Sequence, residues 1–467
     1  MVTIVRRGNL LSISPWIKGL DKELTTKRRV QEDARTMSEQ VLPLFWAPDV
    51  TGGLTYGGMF LRITAWLKQH GVAFEVDDQQ KVLPEPELER LPELRPGQPE
   101  ILAAIATSNR GLIEAPTGFG KSFLVRCLVG MYSKLRIVIV TKNAAICRQF
   151  HDTLHEAYPG LVMGRLYDTP QFYPNGVRVI ISTTASLHKV DPDTIDLLLF
   201  DEAHNAAAPE ISEILSTFNQ AHLFGFTATP TGRLDGTDLI TEAYFGPVIC
   251  RIDWDEAVRA KVIAAVKVLM PQLQLPQIET KNLTMVQRDR TGYWRNMARN
   301  AALIEVANKV FAPNDQVIFY VERIEHGLYL RRLLPDMPFV HAGIAADRWD
   351  VFQKWGLVQP EERSRLMEVD AIGLARQFKA GKVRRVIATS VWKEGVDFPD
   401  LAGLVRFDGG YGSIPSVQIG GRLTRTGSDQ RKTSAILVDC MDDFGHVYRA
   451  RSLARQRAYQ AKGWTIE

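Results

Sequence analysis

The chain has 467 residues, 45% hydrophobic and 24% charged, which excludes a largely disordered polypeptide and exceeds one ordinary core. Its formal net charge of +4 permits nucleic-acid binding without requiring it. No apolar run approaches the ~20 residues that cross a bilayer, and the opening MVTIVRRGNLLSISPW lacks a secretory apolar core. Four scattered cysteines (Cys127, Cys147, Cys250, Cys440) form no C-x-x-C pair, so a reducing compartment and no structural metal are expected. A soluble, cytoplasmic protein is the expectation.

In chain order, Met59 to Gln69 places Phe60, Ile63, Trp66 and Leu67 on one helical stripe, and His70-Gly71 stops it. Val72 to Val76 then alternates as a strand does. These elements predict a small α+β module over residues 1–93, closed by the proline- and glutamate-rich stretch Lys81 to Pro99. From Leu94 to Cys250, short apolar runs alternate with helical stretches: Ile137–Val140, Val179–Ile181 and Leu197–Phe200. That alternation predicts a parallel, doubly wound sheet over 94–250. A connection over 251–305 follows, with a strand at Val266–Met270. A second such domain is predicted over 306–467, with strands at Val317–Tyr320, Val386–Ala388 and Ala435–Val438. The fold class is therefore α/β, two tandem parallel-sheet domains preceded by a small α+β module.

Ala115-Pro-Thr-Gly-Phe-Gly-Lys-Ser122 lies between the apolar Leu112-Ile113 and a helical run from Phe123, the context of a phosphate-binding loop. Thr117, Gly118 and Gly120 would let backbone N–H groups converge on phosphate oxygens at a helix N-terminus. Lys121 supplies a charge for the β- and γ-phosphates of ATP, and Ser122 a hydroxyl for Mg²⁺. The strict pattern has glycine where this chain has Ala115. Asp201-Glu-Ala-His204 directly follows an apolar strand, so Asp201 suits Mg²⁺ and Glu202 suits polarisation of the attacking water. Thr227-Ala-Thr229 ends the next apolar run, where its hydroxyls, with His204, would couple the acids to moving parts. Upstream, Arg95 and Gln98 lie where a glutamine amide reads an adenine edge, although Gly97 replaces the usual aromatic.

These residues resemble a superfamily-two helicase or translocase from about Leu94 to Asp443. Ala388-Thr-Ser-Val-Trp-Lys-Glu-Gly-Val-Asp397 is similar to that family's motif V, and Gln418-Ile-Gly-Gly-Arg-Leu-Thr-Arg425 to its motif VI. The resemblance implies RecA-like domains, with Arg422 and Arg425 as arginine fingers. It also implies Asp397 near the ribose, Gln418 near the phosphates and Gly395 among the cofactor-binding residues. Thr141-Lys142-Asn143, Thr183-Thr184 and Thr389-Ser390 are similar to the family's nucleic-acid contacts, with side chains suited to phosphate oxygens.

The acidic box Asp-Glu-Ala-His, the Thr-Ala-Thr motif and Gln-Ile-Gly-Gly all lean towards DNA-directed members. Tyr56-Gly-Gly58 leading into an amphipathic helix resembles the N-terminal region of phage branch-migration helicases of the UvsW type. The expectation is an ATP- and Mg²⁺-dependent DNA helicase or translocase acting on forks and Holliday junctions in recombination, repair or replication. An RNA helicase and the motor subunit of a restriction or repair nuclease are the alternatives. Two further stretches carry open readings. The basic run Tyr448 to Trp464 fits DNA or a packed helix equally. The surplus around Arg348 to Trp355 fits packing on its own domain better than a DNA wedge.

Overall fold

The computed structural model describes the whole chain except residues 32–36, 47–48, 50, 229–237, 393–397, 399, 411–420 and 425–431. It divides into two compact units. The first is Met1–Pro116 with Gly120–Asp253; the second is Trp254–Glu467 with the loop residues Thr117–Phe119.

The first unit is built on a seven-stranded parallel sheet. Its order is Met163–Leu166, Val179–Thr183, Ile137–Thr141, Leu197–Asp201, His222–Thr227, Arg110–Glu114 and Val248–Arg251. Its inner strands are continuous apolar runs because helices cover both faces, and every residue of Ile137–Thr141 and His222–Thr227 is buried. Asp201 pairs with Phe226 and Phe226 with Ile113, so the acidic box and the strand before the glycine loop end level, one strand apart.

The N-terminal segment forms a five-stranded sheet ordered Phe45–Trp46, Gly53–Tyr56, Leu10–Ser14, Val2–Arg7 and Phe74–Asp78. The helix Phe60–Gln69 covers it, and among the described residues the strands Thr25–Gln31 and Met37–Pro43 pair only with each other. Ile63 and Leu67 of the predicted stripe are fully buried. Their hydrophobic cluster runs without a break into Leu198, Phe200 and Phe245 of the parallel sheet and its covering helix.

Polar contacts complete this docking. The Asn9 backbone N–H donates to Asn219 O at 2.8 Å, and its side-chain amide donates to Phe218 O. Buried Arg110 donates to Gly8 O at 2.9 Å, Asn9 Oδ1 at 2.5 Å and Tyr244 O at 3.2 Å. Arg62 grips Glu242 through Nε at 3.0 Å and Nη2 at 2.7 Å. A Cβ on Gly58 would lie 2.1 Å from Glu242 O and 2.5 Å from Ala243 O, so only glycine permits this approach. The Lys81 to Pro99 stretch is also laid down, with Leu83 buried, Glu87 N donating to Met131 O at 2.9 Å and Ser133 bonding the Glu87 carboxylate.

The second unit has its own seven-stranded parallel sheet. The order is Phe339–Val340, Arg385–Ala388, Gln316–Tyr320, Leu401–Arg406, Ser434–Val438, Ala265–Leu269 and Thr465–Ile466. Between Ile344 and Ile372, the helix Ala346–Lys354 buries Trp349 and Phe352 in the core, so the surplus packs on its own domain. The helix His446–Gln460 is likewise structural. Arg455 is fully buried between Asp439 (Nε to Oδ2, 2.8 Å) and Asp442 (Nη2 to Oδ2, 3.1 Å), while Arg451 pairs with Asp289. Arg299 joins Asp442 at 2.7 Å and Arg406 joins Asp408 at 2.7 Å. Tyr459 links the last pair to the rest, accepting from Arg406 Nη1 at 2.9 Å and donating to Asp439 at 2.8 Å.

Candidate functional site

The loop after strand Arg110–Glu114 carries Gly118 at φ 88° and Gly120 at φ 100°, values that L side chains rarely adopt. Gly120 caps the helix Lys121–Met131, so the first N–H groups of that helix open at the loop. A Cβ at Gly120 would come within 3.1 Å of Gln98 Nε2, placing that buried glutamine against the loop. Gln98 Oε1 accepts from Arg95 N at 2.9 Å, which ties both upstream candidates to one turn. Ser122 follows in the first turn, partly buried. A cradle lined by backbone N–H groups, with glycines where a side chain would intrude, fits a polyphosphate.

Lys121 Nζ lies 3.1 Å from Glu202 Oε1, with side-chain exposures of 11% and 23%, so two motifs 81 residues apart form one site. Glu202 has φ 54°, one of two non-glycine residues at positive φ among those described. Strained backbone held by its surroundings is characteristic of functional positions, and here it turns the chain sharply after Asp201 ends its strand. His204 Nδ1 lies 3.4 Å from Glu202 Oε2 and 3.3 Å from Thr227 Oγ1. Thr227 O in turn accepts from Ala115 N at 3.1 Å. The acidic box, Thr227 and the glycine loop therefore form one connected polar chain. Sequence order alone placed these motifs together; the strain at Glu202 and its contact with Lys121 left no signal in the residue pattern.

The proposed nucleic-acid residues follow strand ends. Thr141 ends Ile137–Thr141 and is buried, Lys142 is exposed, and Asn143 caps the next helix by accepting from Ala145 N at 2.9 Å. Thr183 ends its strand and Thr184 opens a 3-10 turn, both partly exposed. In the second unit, Thr389 is buried and bonds Val340 O through its N–H at 2.9 Å and its hydroxyl at 3.3 Å, whereas Ser390 is exposed. Thr229, Gly395, Asp397, Gln418 and Arg425 lie outside the described residues, as does the side chain of Arg422 in the turn Gly421–Thr424. Among the described residues, no three His, Cys, Asp or Glu side chains gather to hold a metal ion. No described helix is long and apolar enough to cross a membrane.

The chain is similar to several known proteins. Residues 91–232 match the family described as "Type III restriction enzyme, res subunit". Over 396 residues the chain is 24% identical to the DNA 3'-5' translocase XPB2 of Sulfurisphaera tokodaii, covering 80% of this chain and 87% of that protein. A fragment structure of an HsdR-type subunit of a type I restriction enzyme from Vibrio vulnificus shares the fold. It has a TM-score of 0.57 at 20% identity, over 92% of this chain and 75% of that one. The T4 UvsW crystal structure aligns over 100% of this chain and 98% of its own at 14% identity, with a TM-score of 0.43. Motif order and the family match indicate an ATP-hydrolysing helicase domain, and the chain resembles superfamily-two helicases and translocases.

Proposed function

We propose that the chain is an ATP-dependent DNA translocase that remodels branched or duplex DNA, forks and Holliday junctions among them, in recombination, repair or replication. The observation that carries the reading is the contact of Lys121 with Glu202 beside a cradle of glycine backbone. The name of the archaeal relative supports DNA as the track.

In this reading Lys121 and the N–H groups of Thr117 to Ser122 bind the β- and γ-phosphates of ATP. Ser122 and Asp201 would hold Mg²⁺, a cation that binds through few protein oxygens together with phosphate oxygens and water. When bound, that ion neutralises charge on the transferring phosphoryl group. A γ-phosphate competes with Glu202 for the Lys121 ammonium, so substrate binding frees the carboxylate to orient and deprotonate water. His204, 3.4 Å from Glu202 and 3.3 Å from Thr227, carries that change towards Thr229 and the nucleic-acid motifs. Arg422 and Arg425 supply the positive charge that stabilises the transition state. Gln98 with Arg95 reads the base, Asp397 holds the ribose, Gln418 contacts phosphate, and Gly395 completes the nucleotide-binding set. Thr141, Lys142, Asn143, Thr183, Thr184, Thr389 and Ser390 are the proposed contacts to the DNA backbone. Residues 1–93 add a surface for duplex or branched DNA to the motor domains 94–250 and 306–467; residues 251–305 lie between these in sequence and give the strand Ala265–Leu269 to the second sheet.

The test is steady-state ATP hydrolysis with DNA and RNA effectors. Stimulation by duplex or branched DNA supports the reading, and stimulation by RNA alone overturns it.

A further inference from the structure

An arginine–aromatic ladder runs along one face of the helix Ile324–Leu333 in the second unit. Glu325, Tyr329 and Arg332 sit at i, i+4 and i+7, so they share that face. At the N-terminal end, Arg290 and Arg295 both bond Glu325, through Arg290 Nε to Oε2 at 3.0 Å and Arg295 Nη2 to Oε1 at 2.8 Å. The Trp355 ring takes Arg290 at 5.4 Å and Arg295 at 4.8 Å from its centroid. The Tyr329 ring takes Arg295 at 5.8 Å and Arg332 at 5.3 Å. Arg332 also donates to the carbonyl of Gly356 at 2.8 Å, at the end of the helix that presents Trp355. The order is therefore Arg290, Trp355, Arg295, Tyr329, Arg332.

Packing alone does not account for this composition. Glu325 is the single carboxylate these three guanidiniums bond among the described residues, so two positive charges remain in surplus. All three arginines keep solvent access, and both rings are half-buried. Arg290 opens a π-helical turn, Arg290–Trp294, a rare geometry that often marks functional positions. The ladder also begins at the carboxyl end of the sheet. Strand Gln316–Tyr320, which leads to its helix, pairs with Arg385–Ala388, which leads to Thr389 and Ser390.

We propose that this ladder is a second-domain binding surface for the DNA phosphate backbone. The inference rests on the DNA-translocase reading above and assigns to it residues outside that set. Seven residues of helix span ~10 Å, a length over which one strand of a duplex advances about three nucleotides along the axis at 3.4 Å each. Arginine is the suitable cation here, because its planar guanidinium stacks on an aromatic ring while its edge still donates to phosphate oxygens. The rings hold the guanidiniums in place, so little side-chain entropy is lost on binding.

The test is the salt dependence of DNA binding by the full chain, using a fluorescent duplex with a single-stranded extension, for wild type, Arg295→Ala, Arg332→Ala and the double variant. The expected result is a slope of log K against log salt shallower by about 0.9 for each duplex phosphate that is no longer neutralised. Affinity in the double variant should fall roughly tenfold at low salt, while ATP hydrolysis without DNA stays unchanged. Arg332→Lys should restore most of the slope, which a packing role would not require. Among the described residues Arg332 donates hydrogen bonds to backbone carbonyls alone, so its single variants decide the matter if Arg295→Ala does not fold. Folded variants with wild-type slope and affinity overturn the ladder alone. A wild-type chain that binds RNA but no DNA overturns the translocase reading and the ladder with it.

Discussion

The Lys121 ammonium and the Glu202 carboxylate meet at 3.1 Å, and Glu202 reaches that position from left-handed backbone at φ 54°. In the proposed mechanism the pair couples the group that senses the γ-phosphate to the group that activates water. Glu202→Gln should therefore keep nucleotide affinity and lose turnover by about 10²-fold or more, the usual share of a general base. Binding of a fluorescent ATP analogue beside steady-state hydrolysis checks this. Failure to bind nucleotide would contradict the division of labour between Glu202 and Asp201.

Lys121→Ala removes the charge at the loop without disturbing the core, since Lys121 is the first residue of its helix. Hydrolysis should fall at least about 10²-fold, as when a preorganised electrostatic donor is removed, with the melting temperature close to wild type. Near-normal DNA-stimulated hydrolysis by the folded variant would refute the phosphate-binding role.

The Pro- and Glu-rich stretch makes residues 1–93 look separable, yet Arg110 takes two of its acceptors from Gly8 and Asn9. Burial pushes the Arg110 guanidinium down to about 9, with Arg6 adding to the effect. Asn9→Ala leaves that cation and the Phe218 carbonyl short of partners, which costs about 1–3 kcal/mol. Removal of Met1 to Leu91 should lower stability of the first unit much further, because the shared apolar core is cut as well. Thermal melts of both variants check this, and an unchanged melt for the truncated chain would contradict it.

These contrasts show what was legible. The glycine loop, the acidic box and the parallel strands each lie within a few consecutive residues, so their chemistry is written locally. Arg110 with Asn9 spans 101 residues and uses amides and carbonyls, which every sequence contains. Arg451 and Arg455 read as a basic helix face, but Asp439 and Asp442, beyond the end of strand Ser434–Val438, bury Arg455. That pairing depends on the strand and helix packing together, which no local pattern reports.

Arg455→Ala should accordingly act on stability and not on DNA affinity. Deleting the guanidinium takes the ion-pair partner from buried Asp439 and one of two from Asp442, which keeps Arg299, at a cost of about 3–5 kcal/mol. Denaturant unfolding of the second unit's signal measures it. A stable variant with weakened DNA binding would restore the DNA-facing reading of that helix.

The second unit should also lose stability in mild acid. Burial holds His341 down to about 4 and His326 to about 3, with Arg331 and Arg299 adding to it respectively. Gly343 N donates to His341 Nδ1 at 3.1 Å, which requires that nitrogen unprotonated. Unfolded histidine titrates near 6.5, so below about that pH the unfolded chain binds more protons and stability falls. The loss stops growing below the folded values. Melting temperatures between about pH 7 and about pH 5 should vary less in His326→Gln than in wild type. Equal slopes would contradict the assignment.

The central claim, an ATP-driven motor on branched DNA, is tested most directly with labelled substrates: a Holliday junction, a fork, a plain duplex and an RNA duplex. Wild type with ATP and Mg²⁺ should convert the junction or fork to products, and Lys121→Ala and Glu202→Gln should not. The RNA duplex should remain intact. ATP-dependent processing of the RNA duplex with no effect on any DNA substrate would contradict the account.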